Sequence, residues 1–593
     1  MFLARPLSHG TIAFGILLGI ALASPSLAAR QGDRVQVGGI AAATGAGGAD
    51  APQPVSVPWQ QQRDRGVAVA DTAAWQWLGL ELLATGRDPQ VQPVRWFGEV
   101  LQLPVIQADE YRYLNLEPLL ARAGSQIAIE DDRTARIQPP ATQIRDLRLG
   151  RRAEGWRVVL ELDRPLFWQQ RLTGKQATLE FPATLSPVAR TALAALTAAT
   201  DSDREGDRPT LMATTDSGTT QLQLSLPDGL GLQATTLAGP YRLVLDLRRD
   251  PLVERTIQWR PGLNWQQRYL SLDGDRFAVT WLEIDAKQAR QLRPFWAGER
   301  DFETLQIPGL APLRQMARPR HLTVAINGGF FNRNNQFPLG ALRRDGRWRS
   351  SPILNRGAVA WDDRGEFYFG RGRFFEVFQA TGRRWPGIFL NSGYIQPGLA
   401  RYTPDWGAAY TPASDGETVV TVAGDRVVQQ ATAAATDAAI SIPRDGYVLA
   451  VRKVPQVEAA FTPGARIAIE QGTIPTELQQ FPQVLGAGPL LLQAGRTVLD
   501  AAAENFSKAF VQQAAPRSAI ARDREGNVLL VAFGDRVGGR GPTLNEMAQL
   551  LQQLGSTDAL NLDGGSSASL YLGGELINRP PATSARVHNG LGF

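Results

Sequence analysis

From about Val67 to Asp250 the chain alternates apolar and polar positions in short runs broken by Gly, Pro and Asp. Trp156-Arg157-Val158-Val159-Leu160-Glu161-Leu162 and Tyr241-Arg242-Leu243-Val244-Leu245-Asp246-Leu247 both repeat every second residue, the period of a strand with one buried face. Residues 67–252 are therefore expected to form a β-rich accessory region. After Pro251 strand-like runs mix with a few helical ones. The clearest helix starts at Thr543, where Thr and Glu546 are spaced as a capping box ahead of Leu544, Met547, Leu550, Leu551 and Leu554. Gly555 supplies its stop. Ala559 to Leu562 and Ala568 to Leu572 read as the next two strands, with Asp563-Gly564-Gly565-Ser566-Ser567 as the turn between them. The expected fold class is α+β, a β-rich N-terminal region followed by a mixed C-terminal half over residues 253–593.

The ends of the pattern refine this division. Residues 1–29 combine Arg5, an apolar run from Thr11 to Ala23 and small residues from Ser24 to Ala29, the arrangement of a secretory signal peptide. The run is about 13 residues, short of the ~20 that span a bilayer, so no transmembrane helix is expected after cleavage. An exported protein is expected, periplasmic, envelope-associated or extracellular. Residues 30–66, rich in Gly, Ala, Pro and Gln without periodicity, read as a flexible linker. The Ala-, Thr- and Ser-rich stretch from Thr184 to Ser217 reads as an extended insertion or loop.

Composition removes several function classes. The chain has no cysteine, so disulfides, thiolate zinc sites and a cysteine nucleophile are all excluded. Its net charge is +5, and the basic residues are interleaved with acidic ones rather than gathered in a stripe, which speaks against nucleic acid as a partner. Of 62 basic residues only Lys175, Lys287, Lys453 and Lys508 are lysines. Arginine suits bidentate recognition of phosphate, although a general compositional bias gives the same skew. Three histidines leave little room for histidine chemistry. No metal-binding motif is present, while a divalent cation site made only of oxygen ligands stays open.

Two segments share one design. Leu322 to Ile326 runs into Asn327-Gly328-Gly329-Phe330-Phe331, and Leu560-Asn561-Leu562 runs into Asp563-Gly564-Gly565-Ser566. An amide or carboxylate at a strand end, followed by glycines that accept positive φ, could present main-chain N–H groups to a ligand. The same residues also spell tight hairpin turns.

Asn327-Gly328-Gly329-Phe330-Phe331-Asn332 resembles the opening motif of the phosphodiester glycosidase family. Arg356-Gly357-Ala358-Val359, Asp445-Gly446-Tyr447-Val448-Leu449, Gly486-Ala487-Gly488-Pro489-Leu490, Pro516-Arg517-Ser518-Ala519-Ile520, Asn561 to Ser567 and Asn578-Arg579-Pro580 follow in the family's order. The resemblance implies a mixed α/β phosphodiester glycosidase domain over 253–593, a hydrolase that cuts a sugar from a phosphate ester. That chemistry asks for an anion clamp and for a carboxylate beside an anomeric carbon that turns cationic in the transition state. Arg517 and Asp563 are the leading candidates, with Asn327 positioned to bind a hydroxyl or a water and Glu504 as a possible second carboxylate. Gly328, Gly329, Arg356, Asn561, Gly564, Gly565, Ser566 and Arg579 complete the candidate substrate-binding set. The expected partner is a glycan or sugar phosphate, with no cofactor.

Ile144 to Gly150 followed by Trp156 to Pro165 resembles the AMIN domain, a β-sandwich of envelope proteins, which would give the N-terminal region a cell-wall partner. A generic β accessory domain fits the same residues. Two other functions compete. One is a polysaccharide-binding protein without catalysis. The other is a serine hydrolase built on Ser566 and His588, although Gly564-Gly565-Ser566-Ser567-Ala568 lacks the final glycine of the nucleophile elbow and precedes a strand rather than a helix.

Overall fold

A computed structural model describes residues 30–40, 56–62, 66–86, 88–198, 208–299, 309–434 and 438–593. The expected signal segment, residues 1–29, lies outside them. The chain is mainly β in both halves, with 50% strand against 13% helix, so the α+β expectation does not hold. The sequence motifs for helices are real but local: among its described residues the C-terminal half contains one helix of ten residues and several single turns set among large sheets.

That helix forms as its sequence demands. It spans Leu544–Gln553, Thr543 caps it through a full capping box with Glu546, and Gly555 follows at φ 83°. Its apolar face, with Leu544, Met547, Leu550 and Leu551, packs on Val279, Ala519 and Val531 of an eight-stranded sheet. The centre of that sheet runs Asp275–Ile284, Val528–Arg536, Arg517–Asp523, Ser556–Asn561, Leu490–Gln493. A five-stranded sheet beside it contains Val324–Asn327 between Asn589–Gly592 and Leu570–Leu572. Ser556–Asn561 and Leu570–Leu572 thus belong to different sheets. The Asp563 segment is a crossover containing a short 3-10 turn, Gly565–Ser567, and not a hairpin.

The N-terminal region holds a seven-stranded and a three-stranded sheet, then a five-stranded and a four-stranded sheet over residues 143–248. Residues 30–66 do not form a free tether where they are described. Arg34–Val37 pairs in parallel with Thr134–Gln138, burying Val35 and Val37, and Trp59–Gln62 pairs with Gly66–Ala70. Linker-like composition is overridden there by a strand partner far along the chain. Within the stretch expected to be a loop, Pro187–Ala198 is helical and Leu211–Asp216 is a strand, as alanine's high helix propensity allows.

One apolar core continues across residue 252, from Trp59 and Ala73 to Trp259, Leu263 and Leu560. Buried polar contacts reinforce the junction. Asp71 accepts from Arg112 at 2.9 Å and from the Trp259 indole at 3.2 Å, and the Thr72 hydroxyl donates to the Gly573 carbonyl at 2.7 Å.

Candidate active site

The two Gly-Gly segments meet. The Asp563 amide donates to the Gly328 carbonyl at 3.0 Å, and the Asn327 amide group donates to the Asp563 carbonyl at 2.7 Å. Arg517 lies against the same turn, since a side chain at Gly564 would meet the Pro516 carbonyl oxygen at 2.9 Å and the Arg517 Cδ at 3.3 Å. Asn327, Asp563 and Arg517 are therefore neighbours despite their separation in sequence.

Their surroundings differ. Asn327 is fully buried, and its carbonyl oxygen accepts from the Ser518 hydroxyl at 2.8 Å and the Ser569 amide at 3.0 Å. With its NH2 group held by Asp563, it acts as a clamp between sheets and does not present its amide to a ligand. The glycines serve close packing more than left-handed turns, because only Gly565 of the four has positive φ. A side chain on Gly328 would fall 2.0 Å from Asn589 Oδ1, and one on Gly329 would fall 2.2 Å from the Gly486 carbonyl oxygen. All four N–H groups are bonded inside the protein: Gly328 to the Asn589 carbonyl, Gly329 to Asn589 Oδ1, Gly564 to Asp563 Oδ1 and Gly565 to the Pro516 carbonyl. The expected backbone cradle for an anion is thus already filled by the chain itself.

Asp563 is the partly exposed member of the group. Its carboxylate accepts from Gly564 and Ser567, yet burial outweighs these bonds and raises its pKa above the ordinary carboxylate range; the Arg333 and Arg517 charges act in the opposite direction. Arg517 is 2% exposed and makes no carboxylate ion pair among the described residues. Its guanidinium donates to the Gln513 and Phe510 carbonyls at 2.6 and 3.2 Å and stands over the Phe510 ring at 5.0 Å. Desolvation lowers its pKa to about 10.

Phe510 belongs to a cluster with Phe330 and Phe506, whose ring centroids are 5.1 to 5.9 Å apart. On the far side Arg356 stands 4.3 Å over Phe506 and 5.7 Å over Phe330. Burial lowers its pKa to about 10 as well, and its Nε has no hydrogen-bond partner among the described residues. Two guanidinium groups without ion pairs among the described residues thus flank three partly exposed aromatic rings beside a basic carboxylate. Exposed Arg333, directly after the Asn327-to-Asn332 motif, completes the positive field.

The other candidates have structural positions. Glu504 is fully buried and accepts from the Gly357 and Leu490 amides and from Arg371 at 2.7, 3.0 and 2.8 Å, so both its oxygens are occupied. Asn561 donates to the Gly488 carbonyl at 2.7 Å, fixing the turn after Gln483–Gly486. Arg579 caps the Gly565, Ser566 and Ala568 carbonyls. Ser566 is exposed, and among the described residues it shares no hydrogen bond with His588, whose ring contacts Asn589 and whose pKa burial lowers to about 4. Among the described residues no group of three or more His, Cys, Asp or Glu side chains is placed to hold a metal ion.

Sequence reasoning missed Arg333 and the Phe330, Phe506 and Phe510 cluster. Phe330 lay within the quoted motif and Arg333 next to it, but nothing local links them to residues 506–517.

Residues 416–593 match the phosphodiester glycosidase family, a segment that contains Arg517 and Asp563. N-acetylglucosamine-1-phosphodiester alpha-N-acetylglucosaminidase from Mus musculus is 42% identical over 76 residues, 13% of this chain and 14% of its own, and the Homo sapiens protein is 41% identical over 76 residues, 13% and 15%. The chain thus spans about one seventh of the length of these curated relatives. A crystal structure of a hypothetical protein from Synechocystis superposes with a TM-score of 0.82 at 39% identity, covering 95% of this chain and 98% of that one. The chain shares its fold and family with that Synechocystis protein throughout, and within it residues 416–593 belong to the phosphodiester glycosidase family.

Proposed function

We propose that this protein is an exported hydrolase that cleaves a glycosyl phosphodiester of an envelope or extracellular glycan. The observation that carries the reading is Asp563, a carboxylate made more basic by burial and set in the field of Arg517 and Arg333 within the family-matched segment. In its ionised form Asp563 stabilises the developing charge at the anomeric carbon and takes a proton from water as water adds there. The bond from the anomeric carbon to the bridging oxygen breaks, and the electron pair leaves with the phosphate. The products are a free sugar and a phosphomonoester. Arg333 and Arg356 hold the phosphate oxygens, and the Phe330, Phe506 and Phe510 cluster offers rings for a sugar face.

Phosphate is a stable leaving group, so a second carboxylate in the role first expected of Glu504 is not required. The test is to incubate the full chain with α- and β-glycosyl phosphodiesters in ¹⁸O-labelled water. Label in the released sugar is the expected result. Label in the phosphate, or release of no phosphomonoester from any of them, rejects the reading. The β-rich N-terminal region would hold cell-wall glycan; retention of residues 30–593 on isolated wall material is the corresponding measurement.

A further inference from the structure

A cavity of about 1970 Å³, whose lining does not include Asp563, lies between the N-terminal sheets and the C-terminal half. It exceeds the roughly 300–1,000 Å³ of a small-molecule pocket and has room for several linked sugar units. We propose that this cleft is a binding site for an oligosaccharide carrying negative charge, separate from the hydrolytic centre and not dependent on its activity.

The deep wall carries buried polar groups that the protein itself does not satisfy. Arg255 is 6% exposed and Gln267 5% exposed, and Arg255 Nη1, Gln267 Oε1, Glu81 Oε2 and the Trp77 indole N–H have no hydrogen-bond partner among the described residues. All four residues line the cavity. Leaving such groups unmatched costs about 1–3 kcal/mol each, a cost that a polar ligand pressed into this wall would relieve. Because the wall offers both donors and acceptors, the matching ligand has groups that do both, as sugar hydroxyls do. Aromatic rings stand beside them: Arg255 lies 4.9 Å over Trp75, which meets Trp265 edge-on at 5.3 Å, and Tyr269 lines the same space. A wall of hydrogen-bonding groups interleaved with aromatic faces suits the two kinds of surface that a saccharide presents.

The charge is read from the rim. Among the described residues ten arginines but only four carboxylates line the cleft. Several of these arginines are neutralised, Arg133 by Asp33, Arg314 by Glu575 and Arg536 by Asp275 and Glu546. Arg171, Arg249 and Arg586 have no carboxylate within ion-pair distance among the described residues, and Arg249 and Arg586 are exposed. Arg579 also lines the cleft while its guanidinium caps the turn that follows Asp563, so a chain lying in the cleft passes behind the hydrolytic centre.

Calorimetric titration of the full chain tests this with four probes: a galacturonate hexamer, a phosphate-linked mannose oligomer, neutral maltohexaose and inorganic phosphate. A charged glycan is expected to bind at least about tenfold more tightly than maltohexaose or phosphate alone, since charge-assisted bonds exceed neutral ones by that much. The better of the two charged glycans identifies the carboxylate or phosphate source. The double variant Arg249→Gln/Arg586→Gln, exposed and so low in folding risk, should weaken that binding about tenfold or more, whereas Asp563→Asn should leave it unchanged. Equal binding of the neutral hexamer, equal binding of inorganic phosphate or wild-type binding by the arginine double variant would each overturn the proposal. Loss of turnover with binding intact in Asp563→Asn keeps the fate of this site distinct from that of the hydrolase reading.

Discussion

Asn327-Gly328-Gly329 and Asp563-Gly564-Gly565 are one local design used in two ways. In the first the polar side chain is fully buried, makes three hydrogen bonds inside the protein and joins two sheets. In the second it is only partly buried at the same junction, and desolvation makes it a stronger base than an ordinary aspartate. The contrast teaches that a strand-end Asn or Asp before two glycines specifies where a backbone crosses closely. What the polar group then does is set by the strands behind it.

Four measurements would break or sharpen this contrast. The largest expected effect is on turnover: Asp563→Asn should lower kcat about 100- to 1,000-fold with an unchanged circular dichroism spectrum, the usual scale for removing one charge-stabilising group. Turnover near wild type would reverse the roles of the two turns. Next comes acid stability. His588 directly precedes Asn589, which backs the first turn, and it is held neutral with a pKa of about 4 against 6.5 in the unfolded chain. Its contribution is present above pH 6.5 and is lost as pH falls through 4, about 3 kcal/mol between pH 7 and 4. Thermal melts of His588→Gln should lack that part of the acid loss, and identical pH slopes would refute it.

Asn327→Ala should then cost about 2–3 kcal/mol in denaturant unfolding, because the Ser518 hydroxyl, the Ser569 amide and the Asp563 carbonyl all lose their partner. A loss of activity with no loss of stability would instead place Asn327 on the substrate. The smallest effect is a shift in the pH profile. Activity needs ionised Asp563, whose raised pKa puts the acid limb above the usual carboxylate range, and turnover falls as pH drops through it. Arg517 lowers that pKa, so Arg517→Gln should move the limb to still higher pH as well as slow the reaction, and an unmoved limb would separate the two groups.

The features legible in the sequence were those whose causes are local. The helix at Leu544–Gln553 was readable to within one residue because its cap, apolar face and glycine stop all lie inside fourteen positions. Neighbouring strands were readable too, but their partners were not. Ser556–Asn561 and Leu570–Leu572 look like a hairpin and enter different sheets. Composition made residues 30–66 look like a tether, whereas Val35 and Val37 find a strand a hundred residues away. The meeting of Asn327, Asp563 and Arg517 was inferable from motif order. That Glu504 would be enclosed by Gly357, Leu490 and Arg371, or that Phe330 would meet both Arg356 and Phe510, depends on contacts no window of sequence contains.

The contacts of Asp71 with Arg112 and Trp259, and of Thr72 with Gly573, have a practical corollary for anyone dividing this molecule. A cut before residue 253 would strip Trp259 and Gly573 of their partners and bare the apolar surface that meets Trp59 and Ala73. The isolated C-terminal fragment should therefore be insoluble when expressed alone. By the same logic neither half could be traded between genes without the other, in keeping with a relative in Synechocystis that aligns along nearly the entire polypeptide.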